Sequence, residues 1–274
     1  MRNRVACWLL VGLGLTASAR DAAAGAWTLE AGTGQLIITN TLSQGVDIFN
    51  AARSLQSTPR YSKDELQALV EYGVTDRFTV ILEPMLQHVD IGAPVDAQRS
   101  GLGYTELGGR VRLFQGDSWG DSWGDSWVIS GQTTLRVPGT FDRSNPAALG
   151  YTDTQLDVRA LFGYTFKAGA WPAFVDVQVA QRFSLGWQPD EFRTDITFGV
   201  RPAPQWLLLV QSFNVVSEGA GTWGLPSYDY SKLQLSGVYS VTPALSLQLG
   251  AFTAYTGRNA LQENGLVFGA WYKF

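Results

Sequence analysis

The chain carries a two-residue period, and that decides what it can fold into. In LDVRALFGYTF (156–166), Leu156, Val158, Ala160, Phe162, Tyr164 and Phe166 hold one parity while Asp157 and Arg159 hold the other. Leu66, Ala68, Val70 and Tyr72 alternate in the same way with Lys63, Glu65, Gln67 and Glu71, as do Leu233, Leu235, Gly237, Tyr239 and Val241 with Lys232, Gln234, Ser236 and Ser240. Successive side chains of a strand point to opposite faces, so this is the pattern of strands with one apolar and one polar face, not of helices.

Twelve such segments run through 34–46, 61–73, 78–91, 102–114, 127–137, 154–166, 173–185, 192–201, 206–216, 231–241, 245–256 and 266–274. Each is close to the roughly 9 to 11 residues with which a tilted strand crosses a bilayer. Their connections alternate. Tight turns, VTDR, KAGAWP, PAPQ and VTPA, follow the second, sixth, eighth and tenth segments. Longer polar loops such as FDRSNPAALGYTD and GAGTWGLPSYDYS follow the odd ones. Short turns at one end and long loops at the other predict an all-β antiparallel transmembrane barrel of about twelve strands, with short periplasmic turns and longer extracellular loops. A soluble sandwich or lipocalin-like barrel would also alternate, but it does not account for this many long strands or for the regular change of connection length. YGVTDRFT and YSVTPALS form a weak internal repeat that marks equivalent hairpin turns.

The N-terminus fits this destination. Arg2 and Arg4 precede an apolar run over 5–15, and small-residue sites end at Ala19 and Ala24. This is the pattern of a secretory signal, here taken as 1–24, which leaves a barrel domain of 25–274. The single cysteine, Cys7, lies ahead of most of the apolar run, so it does not fit a lipid-bearing cysteine and the processed chain has none. Removing 1–24 takes away three Arg and one Asp and moves the formal charge from −4 to about −6, which argues against a nucleic-acid partner. The last segment, LVFGAWYKF, ends on an aromatic residue, Phe274, a C-terminal strand of the kind that barrel-assembly machinery reads. The expected setting is the outer membrane of a Gram-negative bacterium, with outer-membrane lipid and that machinery as partners.

Charges on a lipid-facing wall cost roughly 2 to 4 kcal/mol near the midplane, so the charged parity must face inward. The candidate lumen-lining anions are Glu65, Glu71, Glu83, Asp157, Asp176 and Asp195, with Lys63 and Glu106 on the same parity. The cations are Arg110, Arg112, Arg136, Arg159, Arg182, Arg193 and Arg201. Strand adjacency predicts a basic wall (Arg110, Arg112, Arg136, Arg159, Arg182) faced by Glu65, Glu71 and Glu83. That wall either selects solutes in a hydrated pore or pairs up to fill a narrow barrel. Trp187, Trp223, Tyr228 and Tyr230 are the extracellular-loop residues expected to contact a ligand, since aromatic rings beside Asp and Gln suit stacking on sugars or aromatics.

No catalytic set is assigned. The only histidine, His88, shares the outward parity of Val80, Leu82 and Leu86 and has no assignable serine in the sequence. No metal-ligand cluster is visible, and no cofactor is expected. GDSWGDSWGDSW (116–127) contains Gly-Asp-Ser, but an esterase of that type needs a following Asp-x-x-His, which is missing. The repeat sits in the connection between the fourth and fifth segments, where turn chemistry and tandem identity point to slippage in a tolerant turn.

LQSTPRYSKDELQALVEYGVTDRFTV, GLGYTELGGRVRLFQGDSW, PAFVDVQVAQRF, SYDYSKLQLSGVYSVTPALSLQLG and NALQENGLVFGAWYKF together resemble XagA-type outer-membrane proteins. EYGVTDRFTV and GLGYTELGGRVRLF more distantly resemble the transporter-type barrels named for the phenol meta-degradation pathway. These motifs are strand and turn patterns, so they bear on fold and carry no catalytic residues over. The first resemblance implies a link to biofilm exopolysaccharide; the second implies uptake of small hydrophobic or aromatic compounds. The expected function is therefore an outer-membrane channel with a charged lumen, passing a small solute or a polysaccharide. A closed barrel acting as a structural or adhesive surface protein is the alternative.

Overall fold

The computed structural model describes residues 25–117, 126–140, 147, 153–222 and 224–274. Its strands are β1 (Gly34–Phe49), β2 (Leu55–Thr75), β3 (Phe78–Ile91), β4 (Ala97–Asp117), β5 (Ser126–Pro138), β6 (Gln155–Ala168), β7 (Trp171–Ser184), β8 (Glu191–Ala203), β9 (Trp206–Ser217), β10 (Asp229–Ser240), β11 (Leu245–Arg258), β12 (Ala260–Leu261) and β13 (Asn264–Lys273). Every pairing is antiparallel: the long strands pair with their neighbours in the chain, β11 pairs with β13 past the short β12, and at the seam β1 pairs with β2 on one edge and with β13 on the other. Twelve long strands thus close into a barrel, and β12 is a two-residue addition to the seam. No helix long and apolar enough to cross a membrane is found among the described residues.

The barrel is inside out for water. Leu86, Leu235 and Leu249 on the outer wall are 54, 56 and 60% exposed, while Gln35, Glu71, Arg110, Gln155, Asp157 and Arg182 are buried inside. At about 25 cal/mol per Å² of apolar surface, such a wall requires a lipid cover. Trp171, Trp206, Tyr239, Tyr272 and Phe274 stand exposed near the short-turn end, the position of an interfacial aromatic girdle.

The turns fall where the sequence places them. β2 and β3 are joined by Asp76 and Arg77, β6 and β7 by Gly169 and Ala170, with Gly169 at φ 66°. At the other end the strands reach farther than their periodicity indicated. β2 and β4 each run 21 residues, so the connections after β1 and β3 shrink to 50–54 and 92–96. Above the row Leu66, Leu86 and Leu102 the outward side chains become polar: Asp64, His88 and Ser100, then Arg60 and Asp90. Those strand ends stand clear of lipid, so both faces are polar and the alternation vanishes. The first Gly-Asp and the last Ser-Trp of the GDSW repeat also continue the ladder, Gly116 opposite Trp127 and Asp117 opposite Ser126; its middle copies lie outside the described residues. Residues 1–24, expected to be a secretory signal, lie outside them as well.

The C-terminal residue closes the seam. The Gly34 N–H donates to the Phe274 carbonyl at 2.7 Å, and the Phe274 N–H donates back at 2.9 Å. The Phe274 ring lies over Gly34, where any side chain would collide with it, and stacks 6.2 Å from Tyr272. Deleting Phe274 should therefore remove two seam hydrogen bonds and the terminal girdle ring. The expected outcome is a several-fold fall in heat-modifiable barrel in the outer membrane with normal signal cleavage, read by semi-native electrophoresis of membrane fractions.

Candidate functional site

The lumen is divided lengthwise. From β2 to β8 its wall carries a network of buried charges, and most of the arginines in it are paired with carboxylates. Arg110 Nη2 lies 2.7 Å from Glu71, and the same guanidinium donates to Gln132 and to the Trp27 carbonyl, each at 3.0 Å. Arg136 bonds Glu106 and lies flat over the Tyr104 ring, 3.9 Å from its centre. Arg182 reaches Asp157 at 3.0 Å, and Arg159 bridges Asp157 at 3.2 Å to Asp195 at 2.6 Å. Arg193 meets Glu191 at 3.4 Å. Glu65 holds Lys63 at 2.9 Å, and Glu83 accepts the Gln67 amide. The separate basic and acidic walls expected from strand adjacency are not formed. Glu71 bonds Arg110 directly, and cations alternate with anions around the wall.

Three of the predicted lumen residues stand apart from this network. Arg112 lies at the short-turn rim, where it bonds Gln115 at 2.6 Å. Arg201 is half-buried beside the bulge between Val200 and Ala203. Asp176 is buried but touches no cation. Among the loop aromatics, Trp187 is tied through its backbone, donating to Asp153 at 2.8 Å and accepting from the Thr222 N–H at 2.9 Å. The Tyr228 hydroxyl donates to Glu191 at 2.5 Å, and Tyr230 lies 5.4 Å from the Lys232 ammonium. These contacts knit the loops to the wall. Trp223 lies outside the described residues.

The middle of the opposite half, on β9, β10, β11, β13 and β1, presents neutral side chains around a cavity of about 270 Å³, with Phe174 of β7 and Thr197 of β8 also in its lining. The loop end of this half carries the Lys232–Glu263 and Arg258–Asp229 ion pairs. Its lining combines the amides of Gln211, Gln234 and Gln248 with Phe174, Phe213 and Trp271. Trp271 Nε1 donates to Gln248 at 3.0 Å, and Gln234 donates to Gln211 at 3.1 Å. A search for charge passes over these residues. Their shared inward parity, glutamine where the other wall has arginine and carboxylate, was the available signal.

A strap formed by the chain before β1 crosses the short-turn end on the charged side. Leu29 donates to Thr79 at 2.9 Å, and Ala31 donates to Asp76 at 2.9 Å. Trp27 meets Phe174 edge-on at 6.0 Å and fills the space left by Gly163. Ala26, fully buried, packs on Val128 and Leu161 and donates to Asp176 at 2.7 Å.

His88 does face outward, and the structure supplies the serine that the sequence did not: Ser100 Oγ lies 2.7 Å from His88 Nδ1. The pair is hidden in sequence because an extra residue, Gly103, forms a bulge in β4 opposite Met85 and Leu86 and reverses the parity above it. Asp64 sits across from His88 in register but bonds Asn40 instead, at 2.5 Å. The neighbouring backbone amides belong to the sheet ladder.

No protein-family model matches the sequence, and no relative is found among curated proteins. Solved structures do match. The COG4313 outer membrane channel from Pseudomonas putida F1 aligns with a TM-score of 0.72 at 14% identity, over 92% of this chain and 99% of that one. The NanC porin aligns with a TM-score of 0.51 at 10% identity, over 87% and 100%. The shared feature is the closed twelve-strand antiparallel barrel of outer-membrane proteins.

Two predictions follow from the wall. Arg182→Gln removes one of the two cations on buried Asp157 and leaves Arg159 at 3.2 Å. Breaking a buried pair outright costs about 3–5 kcal/mol, so this change should cost less, and the urea midpoint in micelles should fall and recover in part when Asp157→Asn is added. At the loop end, burial opposes ionisation of Glu263, but the Lys63 and Lys232 ammonium groups, with hydrogen bonds from Lys232 and Ser43, override it and lower its carboxyl from 4.5 to about 2. A depressed carboxyl stabilises the fold above its ordinary value, and that contribution is lost as pH falls from 4.5 towards 2. Unfolding midpoints between pH 6 and pH 2 should show this slope in the wild type and a smaller one in Glu263→Gln.

Proposed function

We propose that this protein is an outer-membrane channel for small uncharged solutes with an apolar or aromatic part, passing along the neutral half of the lumen. The observation that carries the reading is the division of the wall. The charged half is neutralised by its own ion pairs and covered by the strap, while the amide and aromatic half keeps open space. Amides satisfy hydroxyl and carbonyl groups of a solute, and Trp271, Phe174 and Phe213 offer flat apolar faces to a ring. An ion in the cavity would lose hydration with no charged side chain in the lining to replace it.

The likeness to a barrel described as an outer membrane channel supports the channel as a class. An exopolysaccharide strand would need a continuous hydrated path, and a cavity of about 270 Å³ suits a small solute better. The reading therefore keeps the channel and the outer-membrane setting, with the neutral wall in place of the charged one as the selective element.

Phenyl glucoside and phenyl glucuronide share shape and differ by one carboxylate, so their flux into proteoliposomes tests the reading. The glucoside should enter about fivefold faster or more, equivalent to roughly 1 kcal/mol at the narrowest point. Gln234→Glu should slow the glucoside. Equal flux of the two would overturn the neutral path, and no flux of either through folded barrel would favour the closed surface protein.

A further inference from the structure

The strap ends at a carboxylate whose cation is missing from the barrel wall. Asp176, on β7, is 1% exposed. It accepts the Ala26 N–H at Oδ2 and the Gln178 amide at Oδ1, each at 2.7 Å. Glu71, Glu106, Asp157, Glu191 and Asp195 of this wall each have a guanidinium within 4.0 Å; Glu83 accepts the Gln67 amide, and Asp176 alone of the described wall carboxylates accepts a strap N–H. Asp176 has no ammonium or guanidinium that close among the described residues. The nearest guanidinium charges, Arg110 and Arg159, are committed to Glu71 and to Asp157 and Asp195. Such a carboxylate is costly unless a charge reaches it.

Gly25 lies directly against it. A methyl group at Gly25 would run into the Asp176 carboxylate, so the space here favours glycine. Gly25 is also the first residue after Ala24, where the expected signal ends.

We propose, on the basis of that cleavage site, that Asp176 is a receptor for the new N-terminus. Hydrolysis of the Ala24–Gly25 peptide bond leaves a carboxylate on Ala24 and an ammonium on Gly25, and this ammonium completes a buried ion pair with Asp176. The pair latches the strap across the short-turn end of the lumen. The precursor has a neutral amide at this nitrogen, and a chain cut after Ala19 would carry its ammonium five residues away, so only correct processing sets the latch.

The processed chain contains no cysteine, so a single Val128→Cys, on the wall under Ala26, reports whether the strap is seated. Its N-ethylmaleimide labelling is measured on refolded protein in micelles. The comparison is among the parent, Asp176→Asn, a Gly-Ser insertion between Ala24 and Gly25, and the two changes together, each secreted first and its N-terminus fixed by intact mass. The parent should begin at Gly25. Each change should speed labelling at least about tenfold, and the combination no more than either alone, as expected when both break one buried pair. A parent beginning elsewhere, an insertion without effect, or additive effects would overturn the latch; the last two would leave Asp176 as an acceptor for the Ala26 amide only. If Asp176→Asn does not fold, the insertion decides alone, because it leaves every barrel side chain in place. Labelling reads the strap without any solute, so its outcome is independent of the flux result.

Discussion

In hydrocarbon a backbone N–H or C=O has no partner except another backbone group, and an unmatched one costs several kcal/mol. A sheet of twelve strands can meet that demand only by closing on itself, which makes the β1–β13 seam the contact on which the rest depends. Ten consecutive residue pairs, from Gln35 opposite Lys273 to Gln44 opposite Asn264, join the first and last parts of the chain. The hydrogen bonds between Gly34 and Phe274 carry the pairing to the final residue. The barrel therefore cannot close before β13 is present.

Closure also fixes what the interior must do. Twelve strands enclose more space than their inner side chains fill if small, and less than an open porin. On the β2–β8 side the space is taken by arginines and carboxylates long enough to meet across two strands, as Arg110 on β4 does with Glu71 on β2. Buried pairs gain little net stability over apolar packing, but loss of one partner is expensive. Such a network holds the wall rigid and leaves little net field in the lumen. Selectivity then passes to the side with neutral lining, where solute hydration is exchanged for amides and ring faces.

The architecture was legible in the sequence wherever lipid lay on one side and polar groups on the other. β3 spans the same 78–91 that its alternation marks. Legibility failed where that contrast ceased. The upper parts of β2 and β4 are polar on both faces, so they read as loop. Gly103 reverses the parity of β4 through one extra residue, which concealed Ser100 beside His88. The expected opposition of basic and acidic walls assumed that charges separated in sequence stay separate in space. An arginine side chain spans neighbouring strands, so they meet. The neutral cavity was missed because Gln211, Gln234 and Gln248 carry no charge to be noticed.

The strap differs in kind from the barrel that it crosses. Residues 26–31 bond mostly to side chains, Asp176, Ser130, Arg110, Thr79 and Asp76, rather than to a strand ladder. Ordering each such residue costs about 1–2 kcal/mol of backbone entropy, and a few side-chain hydrogen bonds with one partly buried tryptophan must offset it. Its release would break no seam bond below Gly34 and would leave the twelve-strand ladder whole. Local opening free energies in a protein range from near zero to the global value, and a segment held in this way belongs at the lower end. Hence the same chain can combine a barrel that its closed ladder keeps shut with a short segment at its mouth, whose position depends on a handful of polar contacts.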